Sequence, residues 1–368
     1  MRSGKVKESI LKRSVLRQLH TKSQTGSPRY GEDAGLFPAG SVRQEESDGL
    51  VSRLIAVSVN PVEGWTLAAR RVVYGAVNSL AAAGAAPAGV APVILMPKET
   101  EEPQLKELMK ELDALCKQED ICCLAGHTAV SPFVSNLVIS VTALGQKAAV
   151  PEVPGEKSDK KATENAVSKK DGVSSGFPIL HQWEAVRPGM DIVAAGTVGR
   201  EGAAMLACDR AEELLSRYPA FFVEEAKHLF DDGSMRRAAE LLQKTGAVAV
   251  HDVREGGVFA GLWELSAAGG TGVDIELKRI PVRQHTIEVC EFFRLNPYML
   301  RSGGTLLAVC ENGERAVAVL HQSGIRAAVI GQTTDNNDKI IRYDDEIRYL
   351  EPPKEDEYYK CIDGGNYA

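Results

Sequence analysis

Three short stretches of the chain carry side chains able to do chemistry together. Residues 251–270 read HDVREGGVFAGLWELSAAGG, running from charged residues through a glycine pair into an amphipathic segment. Val258, Leu262 and Leu265, with Phe259 and Trp263 beside them, recur at three-to-four residue spacing, so a helix begins near Gly257. The first N–H groups of a helix have no intrahelical partner, and Gly256 and Gly257 put no Cβ in front of them. The pair therefore suits either a tight turn after the strand AVAVHDV or the approach of a phosphate. Residues 31–37, GEDAGLF, set two carboxylates, Glu32 and Asp33, in a glycine-flanked turn, and residues 123–130, CLAGHTAV, end a strand with Gly126 followed by His127 and Thr128. Taken singly, each also reads as a turn with solvated polar residues.

The elements that must position these residues follow from hydrophobic spacing. In the first half, RLIAVSVNPV and NLVISVTALG are β-branched strand candidates, and EPQLKELMKELDALCKQ is a helix with Leu105, Leu108, Leu112 and Leu115 on one side. The run at 76–96, AVNSLAAAGAAPAGVAPVILM, is long enough to span a bilayer, but Asn78, Ser79, Gly84, Pro87, Gly89 and Pro92 break it. It reads as a buried helix, a turn at GAAPAG and a short core strand. In the second half, DIVAAGTVG, AVAVHDV, GVDIEL and TLLAVC are strands. Helices are expected at about 209–217, 221–229, 234–245, 257–268, 285–293 and 312–323. The fold class is α/β or α+β, which periodicity alone does not separate.

Residues 147–185 are rich in Lys, Glu, Ser, Pro and Gly, with few large apolar residues to offset the entropy of ordering, and read as a linker or insertion. The expected organisation is therefore a domain over 1–146, the insertion 147–185, a second domain over 186–350 and a tail 351–368. The insertion is also a candidate docking segment for a partner.

Bulk composition excludes several functions. With 368 residues, 44% hydrophobic and 25% charged, the chain is that of an ordinary soluble protein. Its net charge of −7 gives no basic footprint for nucleic acid or an anionic membrane. The start, MRSGKVKESILKRSVLRQL, reads as a short charged helix and lacks the apolar core of a secretory signal. Seven scattered cysteines without a two-residue gap read as thiols of a cytoplasmic protein.

Taken in order, GEDAGLF, YGAVNSLAAAGAAPAGVAPVILMP, CLAGHTAV, PGMDIVAAGTVGREGAAMLA, HDVREGGVFAGLWELSAAGGTGVDIEL, IPVRQHT and NPYMLRSGGTLLAV resemble the aminoimidazole ribonucleotide (AIR) synthetase superfamily, with its PurM-like fold. That superfamily includes the HypE-type hydrogenase maturation factor, thiamine-monophosphate kinase and selenophosphate synthetase, and the HypE-like group is the nearest in flavour. The resemblance covers nearly all the chain except 147–185 and the last dozen or so residues. It implies a homodimer whose amino-terminal halves pair strands into a barrel, and a carboxyl-terminal α+β half beside it. ATP would lie between the halves, with Mg²⁺, or alternatively Mn²⁺, bridging its phosphates to carboxylates.

The implied chemistry is transfer of the γ-phosphoryl of ATP to a small molecule or to a carbonyl borne by a protein, often a carboxamide oxygen. Such transfer needs charge neutralisation and positioning. The resemblance assigns Glu32, Asp33 and Asp252 to the metal, Asp33 and Asp252 to catalysis, and Gly31, Asn78, Gly126, Thr128, Gly256 and Gly257 to the nucleotide.

Three positions depart from the superfamily's acids: Asn60 in VSVNPV, Ser79 in AVNSLAAAG and His127 in AGHT. Asn and Ser offer neutral oxygens, and His suits Mn²⁺ or Zn²⁺ better than Mg²⁺. Cys361 is followed by seven residues, whereas the maturation factor ends in its reactive cysteine. Lys5 and Lys12 are solvated helix charges or face the nucleotide; Arg254 and Glu255 touch phosphate or metal, or pair with each other. Ser302, Gly303 and Gly304 read as a bend into a strand. Two functions remain: an ATP-dependent phosphoryl-transfer enzyme, and a catalytically degenerate nucleotide-binding dimer acting as sensor or scaffold.

Overall fold

The computed structural model describes residues 5–20, 28–43, 50–148 and 182–362. The first half comprises α1 (Glu8–Ser14), β1 (Gly35–Arg43), β2 (Leu50–Glu63), α2 (Ala68–Ala82), β3 (Ala86–Met96), α3 (Glu102–Gln118), β4 (Cys122–Cys123), β5 (His127–Val130) and β6 (Val138–Ala148). The second half begins with β7 (Asp191–Gly196), α4 (Arg200–Asp209), α5 (Ala211–Leu215), α6 (Ala220–Lys227), α7 (Arg236–Lys244), β8 (Ala247–Val253) and α8 (Gly257–Gly269). It continues through β9 (Gly272–Glu276), α9 (Gln284–Phe292), β10 (Thr305–Cys310), α10 (Gly313–Gln322), β11 (Ala327–Thr334), β12 (Lys339–Tyr343) and β13 (Glu346–Tyr349). Of the expected insertion, residues 149–181 lie outside the described residues. Gln182–Ala185 forms a short 3-10 turn that buries Trp183.

The first sheet runs β1-β2-β6-β3-β4, with β5 also on β3. Period-two alternation divides its faces: on β2, Ser58, Asn60 and Val62 are buried, while Val59, Pro61 and Glu63 point out. The inner face is covered by α2 and α3. A capping box between Glu101 and Gln104 starts α3, and Leu108, Leu112 and Leu115 form its buried stripe. The sheet is open among the described residues of this single chain, so a barrel would need a second one.

The second sheet runs β13-β12-β9-β11-β7-β10-β8, antiparallel apart from the β12–β9 pair. Val258, Leu262 and Leu265 of α8 pack on one face, and residues of α7 and α10 on the other. The class is thus a mixed α/β fold with two sheets.

Helix α2 joins the halves. Every residue of it except Arg70 is buried, as expected of a helix clamped between layers rather than laid on a surface. Its Ala-rich sequence lets both neighbours approach closely. One end contributes Val72, Val73 and Val77 to the core under the first sheet, while Ala81 and Ala82 belong to the core with α7 and β7.

Candidate functional site

A cleft of about 450 Å³ opens where the turn before β1, the segment of α1, strand β2, helix α2 and the β8–α8 junction meet. Among its lining residues are Asp33, Asn60, Ser79, Asp252, Arg254 and Glu264. It therefore joins the early acidic turn to the end of the strand that precedes the glycine pair.

Strand β8 is a sheet edge, and its alternation sends neighbouring side chains opposite ways. His251 turns towards α8, where its Nε2 lies 3.0 Å from Glu264 Oε2. Asp252 turns towards α2, where its Oδ2 accepts a hydrogen bond from the Ser79 hydroxyl at 3.0 Å. Asp33 serves both. Its Oδ2 lies 3.1 Å from His251 Nδ1 and accepts the Asp252 backbone N–H at 3.3 Å.

Both His251 ring nitrogens thus face carboxylates, an arrangement that requires the imidazolium. Burial alone would lower the His251 pKa, but the charge of Asp33 and the hydrogen bonds to Asp33 and Glu264 raise it to about 10. Lys5 completes the row, with Nζ 2.9 Å from Glu264 Oε1. Despite burial, Lys5 and His251 hold the Glu264 carboxyl down at about 2. The row Asp33, His251, Glu264, Lys5 alternates in charge from the acidic turn to the amino-terminal segment.

Asp252 is in the opposite condition. Burial pushes its carboxyl up to about 7, against the pull of Arg254, and nearby Asp33 adds to the rise. Its Oδ1 is buried without a hydrogen-bond partner among the described residues. Arg254 donates from Nη1 to Asn60 Oδ1, and Asn60 Nδ2 donates to Ser58 Oγ at 3.1 Å.

The expected site residues divide by position. Glu32, Asp33, Asn60, Ser79, Asp252, Arg254 and Glu255 line the cleft, as does Gly31, which packs over the Glu264 carbonyl of α8. Lys5 lies in the cleft, and Lys12 pairs with Glu8 at 2.5 Å over the Tyr30 ring. Gly256 and Gly257 do start α8, both with positive φ, yet the Gly256 N–H donates to Asp356 Oδ2 at 2.6 Å. A Cβ on Gly257 would lie 2.8 Å from the Leu300 carbonyl oxygen, so close passage of the 298–300 backbone requires glycine there.

Asn78 is buried behind the cleft, donating to the Gly233 carbonyl at 2.9 Å and accepting the Met235 N–H at 2.6 Å, which fixes the start of α7. Gly126, His127 and Thr128 are exposed on the first sheet and do not line this cleft. Ser302, Gly303 and Gly304 form a buried bend: Ser302 Oγ accepts the Gly199 N–H, and the Gly303 N–H donates to Glu201. Cys361 is half-buried, its thiol pKa raised by that burial.

Sequence reading passed over His251 and Glu264. The first was quoted beside Asp252, and the second is a lone acid inside the apolar run of α8. It also passed over Arg71 and Glu201, a buried pair at 3.3 Å on the cleft floor.

The donor set fits one divalent ion shared with a phosphate ligand. Asp33 and Asp252 are adjacent hard carboxylates, and one buried Asp252 oxygen is uncommitted. No group of three His, Cys, Asp or Glu side chains among the described residues makes a cage by itself. Mg²⁺ commonly completes its shell with phosphate oxygens and water.

Residues 31–146 match the model of the AIR synthase related protein, N-terminal domain, and residues 187–344 match its C-terminal domain. A putative hydrogenase expression/formation protein of Methanocaldococcus jannaschii is 23% identical over 353 residues, covering 92% of this chain and 90% of that one. Carbamoyl dehydratase HypE of Azotobacter vinelandii is 29% identical over 227 residues, covering 57% of this chain and 61% of that protein. The crystal structure of hydrogenase maturation protein HypE in complex with ATP superposes with a TM-score of 0.63 at 17% identity, covering 97% of each chain, and shares the fold.

Proposed function

Since this chain belongs to the AIR synthase related protein family, we propose that it binds ATP in the cleft between its halves. There it transfers the γ-phosphoryl to a small-molecule or protein-borne carbonyl oxygen. The observation that carries this reading is the meeting of Asp33 and Asp252 across the seam, with an uncommitted oxygen of Asp252 buried at the cleft. These carboxylates would hold Mg²⁺, or Mn²⁺, against the phosphates, and the ion would supply charge neutralisation in the transition state. His251 holds the Asp33 carboxylate in place, and Glu264 fixes the ring from its other side. The existence of an ATP complex of a protein with this fold supports the nucleotide.

The acting unit is a homodimer. The open face of the first sheet presents Phe37, Val59 and Val93 to solvent, with Val130 on its edge and Leu124 and Phe133 exposed in neighbouring loops, exposed apolar groups of the kind that mark an interface. Nucleic acid is not a ligand on this reading, given the net charge of −7. No described helix is long and apolar enough to cross a membrane.

The test is ADP release from ATP with Mg²⁺ by the wild type and Asp33→Asn, alongside binding of a non-hydrolysable analogue. The expected loss is about 100-fold or more in turnover for the variant, with its oligomeric state kept. Normal turnover by Asp33→Asn would reject the assignment. A second reading, a nucleotide-binding sensor without turnover, is favoured by one observation: Asn60 and Ser79 place neutral groups beside Asp252 where acids were expected. Binding of ATP without any ADP release by the wild type would select it.

A further inference from the structure

Arg254 is a cleft cation in direct contact with a neutral group and, among the described residues, with no carboxylate at ion-pair distance, although Asp252 and Glu201 feel its charge. Among the described residues its guanidinium hydrogen-bonds Asn60 Oδ1, an amide oxygen with no formal charge. It lies flat on α2 at Gly75, where an added Cβ would sit 2.6 Å from Cζ, so the bare helix face provides the seat. Neighbouring cations are matched differently: Lys5 by Glu264 at 2.9 Å, and Arg71 by Glu201 at 3.3 Å. A guanidinium carries five N–H donors in a rigid fork that suits paired phosphate oxygens. Arg254 spends one of its donors on Asn60. A carboxylate at position 60 would pair with the guanidinium directly; asparagine positions it through a neutral contact and leaves its remaining N–H donors for a ligand.

We propose that Arg254 is the residue by which the cleft grips a polyphosphate: seated on Asn60 and Gly75, its guanidinium binds phosphoryl oxygens of the nucleotide. Recognition then depends on the number of phosphates and keeps part of its strength without a divalent ion. This inference rests on the nucleotide reading above, and its experiment separates the two.

Calorimetric titrations of ATP, ADP and AMP are made in EDTA and in Mg²⁺ against the wild type, Arg254→Gln, Arg254→Lys and Asn60→Asp. The wild type should bind ATP more tightly than AMP even in EDTA. Arg254→Gln should lose about 10- to 100-fold in ATP affinity, the range for a hydrogen bond to a charged group, with a much smaller loss for AMP. Arg254→Lys should fall between, since it keeps charge without the fork. Asn60→Asp leaves Arg254 in the chain but pairs it, so it should weaken ATP in EDTA. Were Arg254→Gln to fail to fold, the lysine and Asn60→Asp variants would carry the test.

ATP affinity in EDTA unchanged in the folded Arg254 variants or in Asn60→Asp overturns the inference and leaves the nucleotide reading standing. Equal losses for ATP and AMP also overturn it, because they point to a structural role. A wild type that binds no nucleotide overturns both.

Discussion

Asp33 Oδ2 and His251 Nδ1 lie 3.1 Å apart, and both side chains are buried. This contact ties the first half's acidic turn to the second half's edge strand, and Glu264 holds the imidazolium from the other side at 3.0 Å. The folded-state pKa of His251 is raised from 6.5 to about 10. Its stabilising contribution is therefore whole below about pH 6.5 and is lost as pH rises through about 10. His251→Gln, which leaves two buried carboxylates without their cation, should cost roughly 3 kcal/mol at pH 6. Thermal melts between pH 6 and 10 should show the gap from wild type narrowing as pH rises; a constant gap would mean the ring is neutral.

Asp252 gives the same sign over a lower pH window at the same site. Burial raises its pKa from 3.8 to about 7, so the unfolded chain releases this proton first and stability is lost as pH climbs from about 4 to 7. Asp252→Asn should stabilise the ligand-free protein at pH 8 by about 1 kcal/mol, roughly 2 °C in melting temperature, while removing phosphoryl transfer. A variant less stable than wild type at pH 8 would contradict the unpartnered state of its Oδ1.

Asp356 occupies the place expected for a phosphate. Its Oδ2 accepts the Gly256 N–H at 2.6 Å, its Oδ1 accepts the Tyr358 N–H at 2.9 Å, and it is almost wholly buried. Asp356→Ala should cost about 1 to 2 kcal/mol, the usual range for a lost helix cap. Chemical denaturation measures this. An unchanged midpoint would mean that the tail does not hold the start of α8.

Cys361 stands apart from the cleft, and burial raises rather than lowers its thiol pKa. A thiol that is not ionised is a poor nucleophile. Cys361→Ser should therefore leave ATP turnover within about twofold of wild type. Loss of turnover would bring back a reactive carboxyl-terminal cysteine.

Much of the fold could be read where apolar spacing was one-sided. The bounds of α3 follow from its Glu101–Gln104 cap and leucine stripe, and β8, β9 and β10 follow from their β-branched runs. Helix α4 was missed because it has no polar face: Arg200 to Ala207 are all buried, and VGREGAAMLA shows no period to read. The short outer strands β12 and β13 alternate too briefly to stand out.

At the site, the acidic turn and Asp252 could be found from their types, but their partners could not. The groups that His251, Glu264 and Arg254 meet lie 13 to 259 positions away in the chain and are brought to them only by folding, as the Arg254–Asn60 and Asp33–His251 contacts illustrate. The partners of Asn78 were hidden for the same reason, since its amide bonds the loop at Gly233 and Met235.

The most direct measurement is a crystal structure with a non-hydrolysable ATP analogue and Mn²⁺, whose anomalous scattering locates the metal. The account requires a Mn²⁺ peak within about 2.1–2.3 Å of carboxylate oxygens of both Asp33 and Asp252, bridged to the triphosphate. A triphosphate bound with its metal away from both carboxylates would contradict it.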